Sequence, residues 1–357
     1  MKIIFNNSMF FHQKYGGVTR YSYELVKELI IKNIDLEMFL TIHKNQYLKD
    51  IRKINTGFYL KRYPNLKILR KINNLIINNK IIKSNGTIIH DNYYPEELLK
   101  TKKNKILTIH DLIHEKFKEF YGNKNLNLRK KIISEIDLFI CVSKKTKEDF
   151  INYYNIPENK IKVIYHGSNH LINLKNENLI KFDKPFILYV GSREKYKNFN
   201  LLLNAISISE SFKKDFELIC FGGKNFSGNE INLFKKLKIN NNIKLVSGGD
   251  EYLKNLYLNA TAFIFPSIYE GFGLPLIEAM SLGCPVIASN IKIFNEVCDS
   301  SANYFDCNSY ESLKTEIENI VYSNEKRLEL INKGKERAKK FTWQKCADNV
   351  VDVYKAI

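Results

Sequence analysis

Two basic residues in the second half of the chain have the types and spacing needed to bind a diphosphate. Arg193 and Lys197 follow the apolar run 186–190 and Gly191, directly before a helical pattern that starts near Asn198. Two cations at a helix N-terminus neutralise an anionic leaving group, and the free N–H groups orient it. The alternative is a pair of solvated basic side chains. A diphosphate bound there needs no metal ion, and the sequence offers no compact acidic cluster that demands one.

The segment Pro266–Met280 is the most specific pattern in the chain. A short apolar run leads into it, Gly271 and Gly273 form a tight loop, and a proline suits the first turn of the helix that follows. Glu270 lies in the loop and Glu278 about one turn into the helix. Both carboxylates can accept hydrogen bonds from the hydroxyl groups of a sugar and of a ribose. A metal site is the weaker alternative, because no nearby His or Asp completes a ligand shell.

Two further candidates lie in the first half of the chain. Gly16 and Gly17 stand between an apolar run and a helical pattern, where glycines let the backbone approach a phosphate. A plain turn explains these glycines equally well. His110 closes another apolar run, a place from which an imidazole can hydrogen-bond a sugar or act as acid or base. A lone histidine is more often structural, and three others compete with it: His90, His114 and His166.

The elements that must position these residues follow one repeated pattern. Short apolar runs alternate with helical patterns in two successive series, which is typical of βαβ units and parallel sheets. The strands predicted from these runs cover 2–6, 36–41, 87–90, 105–109, 138–142 and 160–165, then 186–190, 216–221, 243–246, 262–265, 285–288 and 302–305. The two series predict two Rossmann-like domains. Because ligands of such sheets bind beyond the carboxyl ends of the strands, two facing sheets would share one cleft.

Composition excludes a largely disordered chain: 44% of the 357 residues are hydrophobic and 26% are charged. The net charge of +18 calls for an anionic partner, whether nucleic acid, anionic lipid or a phosphorylated substrate. Residues 1–180 hold 32 basic and 17 acidic residues, a net of +15, so nearly all of the excess lies in the first half. The stretch Lys49–Lys83 has ten basic residues, one acid and many interspersed apolar residues. It is either a basic amphipathic surface that contacts an anionic membrane or a solvated helical face.

No run approaches the roughly 20 apolar residues that cross a bilayer, and the N-terminus lacks the apolar core of a signal peptide. The six cysteines include no pair with the two-residue gap of a zinc or redox site, so we expect reduced core residues in a cytosolic protein.

The order of these motifs resembles that of the retaining glycosyltransferases of family 4, which have the GT-B fold of two Rossmann-like domains facing across a cleft. The matching motifs are Gly16-Gly17-Val18-Thr19-Arg20-Tyr21, Thr108-Ile109-His110-Asp111, Cys141-Val142-Ser143, Val163-Ile164-Tyr165-His166-Gly167, Tyr189-Val190-Gly191-Ser192-Arg193 with Lys197-Asn198, the segment from Pro266 to Glu278, and Phe341-Thr342-Trp343. The resemblance implies an acceptor-side domain over 1–168, a linker over 169–184 and a nucleotide-sugar-binding domain over 185–340. A C-terminal helix over 341–357 would cross back to the first domain.

The same resemblance implies a role for each candidate residue. The implied ligands of the donor diphosphate are Gly16, Gly17, Arg193 and Lys197, and Glu278 is the implied ligand of the ribose. The implied ligands of the donor sugar are His110, Glu270, Gly271, Phe272 and Gly273. Leu274 is a further implied donor-binding residue. His110 and Glu270 are the implied catalytic residues. The co-substrate would be a GDP-sugar or a UDP-sugar, with no cofactor and no metal ion.

The resemblance implies an enzyme that moves a hexose-type sugar to a lipid-linked or oligosaccharide acceptor, with retention of anomeric configuration. Surface polysaccharide or lipopolysaccharide synthesis fits the basic first half, which places the enzyme in the cytoplasm, peripheral at the inner face of the membrane. Two alternatives stay open. A nucleotide-sugar epimerase on the same fold would convert the donor without an acceptor. A nucleic-acid-binding protein is allowed by the charge, but no binding motif is present and only 8 of the 56 basic residues are arginine.

Overall fold

The chain divides into two compact units in the computed structural model, which describes residues 1–6, 8–50, 57–61, 66–122, 126–175 and 182–357. The first unit joins Met1–His166 to Trp343–Ile357, and the second unit is Gly167–Thr342. The structure differs from the expected linker over 169–184, because its first residues pack within the second unit. There Lys254 Nζ donates to the carbonyl oxygens of Ile172 and Leu174 at 3.0 and 2.5 Å. Residues 176–181 of that expected linker lie outside the described residues.

A six-stranded parallel sheet forms the centre of the first unit. The strands of this unit are β1 (Lys2–Asn6), β2 (Asp35–Glu37), β3 (Ile42–His43), β4 (Phe58–Tyr59), β5 (Ile88–Asp91), β6 (Asn104–Ile109), β7 (Leu138–Cys141) and β8 (Ile161–Val163). Their order in the sheet is β2-β1-β5-β6-β7-β8, and β3 pairs separately with β4. The helices are α1 (Met9–His12), α2 (Gly17–Ile31), α3 (Leu66–Lys83), α4 (Ile113–Lys116), α5 (Lys118–Tyr121), α6 (Leu126–Ile133) and α7 (Lys144–Tyr154).

The second unit is built on another six-stranded parallel sheet. Its strands are β9 (Phe186–Val190), β10 (Glu217–Phe221), β11 (Ile243–Val246), β12 (Ala262–Phe265), β13 (Val286–Ser289) and β14 (Asn303–Phe305). They lie in the order β11-β10-β9-β12-β13-β14. The helices are α8 (Phe199–Ser207), α9 (Glu210–Asp215), α10 (Gly228–Lys236), α11 (Asp250–Asn259), α12 (Leu274–Ser281), α13 (Lys292–Cys298), α14 (Tyr310–Val321) and α15 (Asn324–Ala338). Short 3-10 turns cover Tyr47–Asp50, Glu158–Lys160, Lys195–Lys197, Asn240–Asn242 and Asp299–Ser301.

Both units are Rossmann-like, which confirms the predicted fold class. All residues of β9 and of β12 are buried, as expected for strands that helices cover on both faces. Local chemistry fixes the helix ends. The Ser143 side chain accepts the Thr146 N–H at the start of α7, and Asn155 ends that helix in the left-handed conformation, with φ of 53°. No helix in the described part of the chain is long and apolar enough to cross a membrane.

The last helix, α16 (Trp343–Lys355), belongs to the first unit and packs against α2. Trp343 is buried there, and the hydroxyl group of Tyr354 lies 2.6 Å from Nδ1 of His90. Burial lowers the pKa of His90 to about 3, and the nearby His110 adds to this effect, so the His90 ring is neutral. The first unit is therefore completed by a segment that follows the second unit in the sequence.

A carboxyl group is buried at the carboxyl end of β5, next to β1. Asp91 accepts a hydrogen bond from the Asn6 side chain at 2.6 Å. Burial raises the pKa of Asp91 to about 7, although the hydrogen bond from Asn6 and the charge of Lys105 oppose the rise. Ionisation of Asp91 at neutral pH therefore costs folding free energy.

This cost predicts that the substitution Asp91→Asn increases thermal stability by an amount that depends on pH. Because the pKa in the folded state lies above the usual value of 3.8, the folded state binds more protons and stability falls as the pH rises between the two values. We expect the variant's Tm to exceed that of the wild type by more at about pH 8 than at about pH 5, with a difference of roughly 5 °C between the two gains. Scanning calorimetry at both pH values measures it, and an equal effect at both would contradict the buried, protonated carboxyl group.

Candidate functional site

The loops after β9 and β12 meet at the carboxyl edge of the second sheet, where these two strands are neighbours. Lys197 ends the 3-10 turn that follows β9, and its Nζ lies 2.5 Å from Oε1 of Glu270 in the loop after β12. The side chains of this pair are only 13% and 12% exposed. The backbone N–H of Ile268 donates to the Tyr196 carbonyl oxygen at 2.9 Å and holds the two loops together. The structure thus joins two residues that are 73 positions apart and were predicted separately.

The glycine loop Gly271–Gly273 leads directly into α12. Gly273 has a φ of 92°, and a Cβ atom there would lie 2.8 Å from the side chain of Leu276, so the position requires glycine. Leu274 begins the helix with Pro275 in its first turn, and the N-cap residue, Gly273, has no side chain that could cap the helix. The positive end of the α12 dipole therefore lies a few residues after Glu270, without a cap from its own N-cap residue. The Phe272 ring, which is buried, packs edge-on against Phe341 with centroids 5.8 Å apart.

Glu278 lies on the first turns of α12 and is almost fully buried. One carboxylate oxygen is 3.2 Å from Nε2 of His170, and the other accepts the Tyr257 hydroxyl at 3.3 Å. Burial and the Glu278 charge raise the pKa of Tyr257 well above its usual value, so Tyr257 stays a donor. Sequence reasoning missed both partners: His170 stands in the polar stretch that was assigned to the linker, and no periodic pattern marks it.

Arg193 is placed differently from Lys197. Its Nε donates to Glu230 at 2.5 Å, and its NH2 donates to the carbonyl oxygens of Lys224 and Asn225 at 2.6 and 3.3 Å. The remaining group, NH1, is buried without a hydrogen-bond partner in the described residues and lies beside Gly223. Most of the guanidinium therefore holds the loop after β10, and the role of Arg193 as a diphosphate ligand stays a prediction.

In the first unit, the predicted glycines form the start of α2. The carbonyl oxygen of Gly16 accepts the Arg20 N–H at 2.8 Å. A Cβ atom on Gly16 would overlap the Gln13 side chain. A Cβ atom on Gly17 would meet no atom within 4 Å, so the backbone there faces open space. The structure thus leaves Gly17 accessible to a ligand. Arg20 is buried and pairs with Glu24 at 3.1 Å, so its charge is locally compensated.

His110 follows β6 and is buried. Its Nε2 lies 2.9 Å from the Asn92 carbonyl oxygen, which accepts only, so Nε2 carries the hydrogen and Nδ1 keeps its lone pair. Burial lowers the pKa of His110 to about 4, although the hydrogen bond to Asn92 opposes the fall. His110 is neutral near pH 7, which favours a hydrogen-bond acceptor over a proton donor. Tyr21 and His166 pack on its ring, with centroids 5.0 and 5.6 Å away.

The described residues contain no group of three or more His, Cys, Asp or Glu side chains placed to bind a metal ion. The arrangement at the second sheet instead offers a cation, a carboxylate and an uncapped helix N-terminus in one place. These are groups that bind an anion next to hydroxyl groups. The predicted roles of the individual residues, and independence from metal ions, stay predictions.

Comparisons with known proteins define the class. The protein-family model "Glycosyl transferases group 1" matches residues 172–337, and the protein-family model "Glycosyltransferase Family 4" matches residues 15–170. The two matches together span nearly the whole chain and coincide with the two Rossmann-like units. The chain belongs to the group 1 glycosyltransferases, which confirms the family indicated by its motifs. Retention of anomeric configuration stays a prediction.

Particular relatives and solved structures agree with that family. The chain is 26% identical to the O-antigen chain mannosyltransferase B of Escherichia coli, over the full length of both chains. Among solved structures, Anabaena HepE in complex with UDP and glucose has a TM-score of 0.78 at 15% identity and covers 100% of both chains. WaaG, a glycosyltransferase involved in lipopolysaccharide biosynthesis, has a TM-score of 0.76 at 14% identity and covers 98% of this chain and 99% of its own. These structural likenesses support the GT-B fold.

The ion pair of Lys197 and Glu270 predicts separable effects on ligand binding. Lys197→Gln removes the cation from a diphosphate site, so we expect the Kd for GDP or UDP, whichever the wild type binds, to rise about tenfold or more. Glu270→Gln should leave the affinity for the free nucleotide within about threefold but weaken the matching nucleotide sugar about tenfold. Isothermal titration calorimetry measures both.

A surface lysine supplies the matched control. Lys213 of α9 pairs with the exposed Glu210, its side chain is 20% exposed, and Lys213→Gln should leave nucleotide affinity unchanged. Equal affinities for Lys197→Gln and Lys213→Gln would show that Lys197 does not contact the diphosphate.

Proposed function

We propose that the protein transfers a hexose from a nucleotide-sugar donor to a lipid-linked saccharide acceptor during surface polysaccharide assembly, with retention of anomeric configuration. The observation that carries this proposal is the pairing of Lys197 with Glu270 at the carboxyl edge of the second sheet. A nucleotide sugar presents a diphosphate directly beside a carbohydrate. A cation directly beside a carboxylate matches both parts.

The choice of a hexose is supported by the mannosyltransferase names of curated relatives, among them O-antigen chain mannosyltransferase B. Mannose is therefore the first donor sugar to test. GDP and UDP are both candidates for the nucleotide.

The proposed reaction proceeds on one face of the sugar. The bond between C1 and the diphosphate oxygen breaks, a bond between C1 and the acceptor oxygen forms on the same side, and a phosphate oxygen takes the acceptor's proton. Positive charge grows on the sugar and negative charge on the departing phosphate. Lys197 and the uncapped N-terminus of α12 stabilise that negative charge electrostatically, which is usually the largest catalytic contribution. His110, neutral, accepts a hydrogen bond from a donor hydroxyl at Nδ1.

Turnover with defined donors tests this reaction. We expect the protein to transfer mannose from GDP-mannose, or a hexose from a UDP-sugar, to an octyl glycoside, and NMR of the product to show the anomeric configuration of the donor. Lys197→Gln should lower kcat about 100-fold, in line with the loss of one group that stabilises transition-state charge. An inverted anomeric centre would exclude the same-face reaction. Conversion of the donor without an acceptor would indicate an epimerase.

One face of α3 supports contact with a membrane. Five large apolar side chains on this helix are exposed at helical spacing: Ile68, Ile72, Leu75, Ile76 and Ile82. The opposite face, with Ile77 and Ile81, packs into the core of the first unit. The sequence has no Asp or Glu between Asp50 and Asp91, whereas α3 alone carries five Lys or Arg residues. An exposed apolar face on a helix that carries five basic residues and no acidic residue of its own matches a bilayer with anionic headgroups. The expected stretch includes residues 51–56 and 62–65, which lie outside the described residues.

Vesicle binding tests this contact with a closely matched pair of variants. Leu75 and Leu328 are 62% and 60% exposed, on α3 and on α15 of the second unit. We expect the wild type to bind vesicles of phosphatidylcholine with phosphatidylglycerol in a salt-sensitive way. Leu75→Ser should weaken that binding roughly tenfold, because a leucine leaves the bilayer, and Leu328→Ser should not. Co-sedimentation measures both, and equal binding to pure phosphatidylcholine vesicles would contradict the proposal.

A further inference from the structure

We propose that Asn92 is a positioning residue for His110, and that a buried chain of hydrogen bonds from Tyr354 in α16 holds Asn92 in place. This inference rests on the proposed glycosyl transfer, in which Nδ1 of His110 accepts a hydrogen bond from the donor sugar. The members of the chain are Tyr354, His90, Thr108 and Asn92, each at most 1% exposed. Because they are buried, they act on the reaction only through His110.

Asn92 is fixed at several points around the carbonyl group that binds His110. It directly follows β5, and its carbonyl oxygen accepts the hydrogen of His110 Nε2 at 2.9 Å. The backbone N–H of Asn92 donates to the Asn6 carbonyl oxygen at 2.9 Å, and its side-chain Nδ2 donates to Ser22 Oγ of α2 at 3.1 Å. A carbonyl group held in this way keeps one direction, so the His110 ring keeps one orientation and one tautomer.

The direction of the bonds can be assigned from the end of the chain in α2. The Val18 carbonyl oxygen only accepts, so Ser22 Oγ donates to it, at 2.8 Å, and must accept from Asn92. The amide of Asn92 therefore points its nitrogen to Ser22 and its oxygen to Thr108 in β6. The Thr108 hydroxyl donates to that oxygen, Oδ1, at 3.4 Å.

The other half of the chain runs through His90 to α16. Because the Thr108 hydroxyl hydrogen goes to Asn92, Thr108 Oγ1 accepts from Nε2 of His90 at 2.8 Å. His90 is neutral, so its Nδ1 carries no hydrogen and accepts from the Tyr354 hydroxyl at 2.6 Å. Burial raises the pKa of Tyr354 well above its usual value, which keeps that hydroxyl protonated. All bonds from Tyr354 to Val18 thus point the same way, and each polarises and strengthens the next.

The fold itself does not require polar groups at these places. The two central strands of the second sheet, β9 and β12, consist only of apolar and aromatic residues. The central strands of the first sheet, β5 and β6, instead carry His90 and Thr108 in the core. Buried polar groups are costly unless all are paired, and a fully paired chain fixes one geometry. The geometry that this chain fixes is that of His110, which follows β6.

Misplacement of His110 affects the transfer step and leaves nucleotide binding unchanged. If the ring turns or the tautomer reverses, Nδ1 carries the hydrogen and can no longer accept one from the donor sugar. Small errors in the position of such a group slow the chemical step. A free nucleotide has no sugar and does not make this contact.

NMR of the full chain labelled with isotope-enriched histidine tests the positioning without a substrate, with signals identified from single His→Gln variants. We expect wild-type His110 and His90 both to carry the hydrogen on Nε2. Asn92→Ala removes two bonds of the chain, and Thr108→Val removes one hydroxyl group with little change of shape. Each should raise the population of the other His110 tautomer about fivefold, which corresponds to the loss of one hydrogen bond. Thr108→Ser keeps the hydroxyl group and should restore the wild-type spectrum.

Kinetics give a second readout. Thr108→Val and Tyr354→Phe should each lower kcat about fivefold and leave the Kd for the free nucleotide within about twofold. Tyr304→Phe in the second unit is the matched control. Its hydroxyl group donates to the Asp299 carbonyl oxygen, also at 2.6 Å, but lies outside the chain. Its removal should change neither kcat nor the His110 signals.

The outcomes separate this inference from the proposed function. Variants with a lower Tm but unchanged His110 signals would overturn the inference, because the chain would then be structural only. A hydrogen on Nδ1 of wild-type His90 would overturn it as well. Thr108→Val keeps the test valid if Asn92→Ala does not fold. If the His110 signals respond as expected but the wild type transfers no sugar, the chain stands and the proposed function fails. If the wild type transfers sugar and the variants keep its kcat and its His110 signals, the proposed function stands and the inference fails.

Discussion

The ion pair between Lys197 and Glu270 is the interaction on which the second unit's site depends. Neither charge is well solvated, so each would be costly without the other, and removing one partner of such a pair leaves an uncompensated charge. Their attraction brings together loops that follow β9 and β12. It also means that a ligand must offer both a negative group to the lysine and hydrogen-bond donors to the glutamate. A diphosphate joined to a sugar meets this double requirement, whereas a bare anion meets half of it.

In the first unit, burial and neighbouring hydrogen-bond donors determine whether each titratable group is charged. His110 and His90 are buried against aromatic rings, and burial lowers their pKa values to about 4 and about 3, so both stay neutral. Nitrogen atoms of His12, Asn74 and Arg70 lie within 3.3 Å of the Glu96 carboxylate, and together they outweigh its burial and lower its pKa, so Glu96 stays ionised. Asp91 is buried with fewer compensating donors and has a raised pKa. Neutral and charged hydrogen-bonding groups therefore coexist near one sheet edge.

Much of the fold could be predicted because buried parallel strands are short, apolar and bounded by loops. The strands over 186–190, 243–246 and 262–265 have the predicted bounds. The strand over 36–41 is shorter in the structure, at Asp35–Glu37, because only one of its three residues is buried and the apolar pattern continues past the pairing. Site residues next to glycine loops could be found in the same way. His170, Tyr257 and Glu230 could not, because their roles come from contacts across the fold that no local pattern records.

The return of α16 to the first unit has a consequence for biosynthesis. Residues 343–355 complete a core that otherwise consists of the first 166 residues, whereas the second unit is one continuous stretch. On the ribosome, the second unit can fold as soon as its own residues have emerged. The first unit is synthesised earlier, but its core is complete only after residues 343–355 have been translated. Until then, the surface of α2 that contacts α16 is uncovered. Order of synthesis and order of completion are thus reversed in this chain, and the nascent first unit is the natural client for a chaperone.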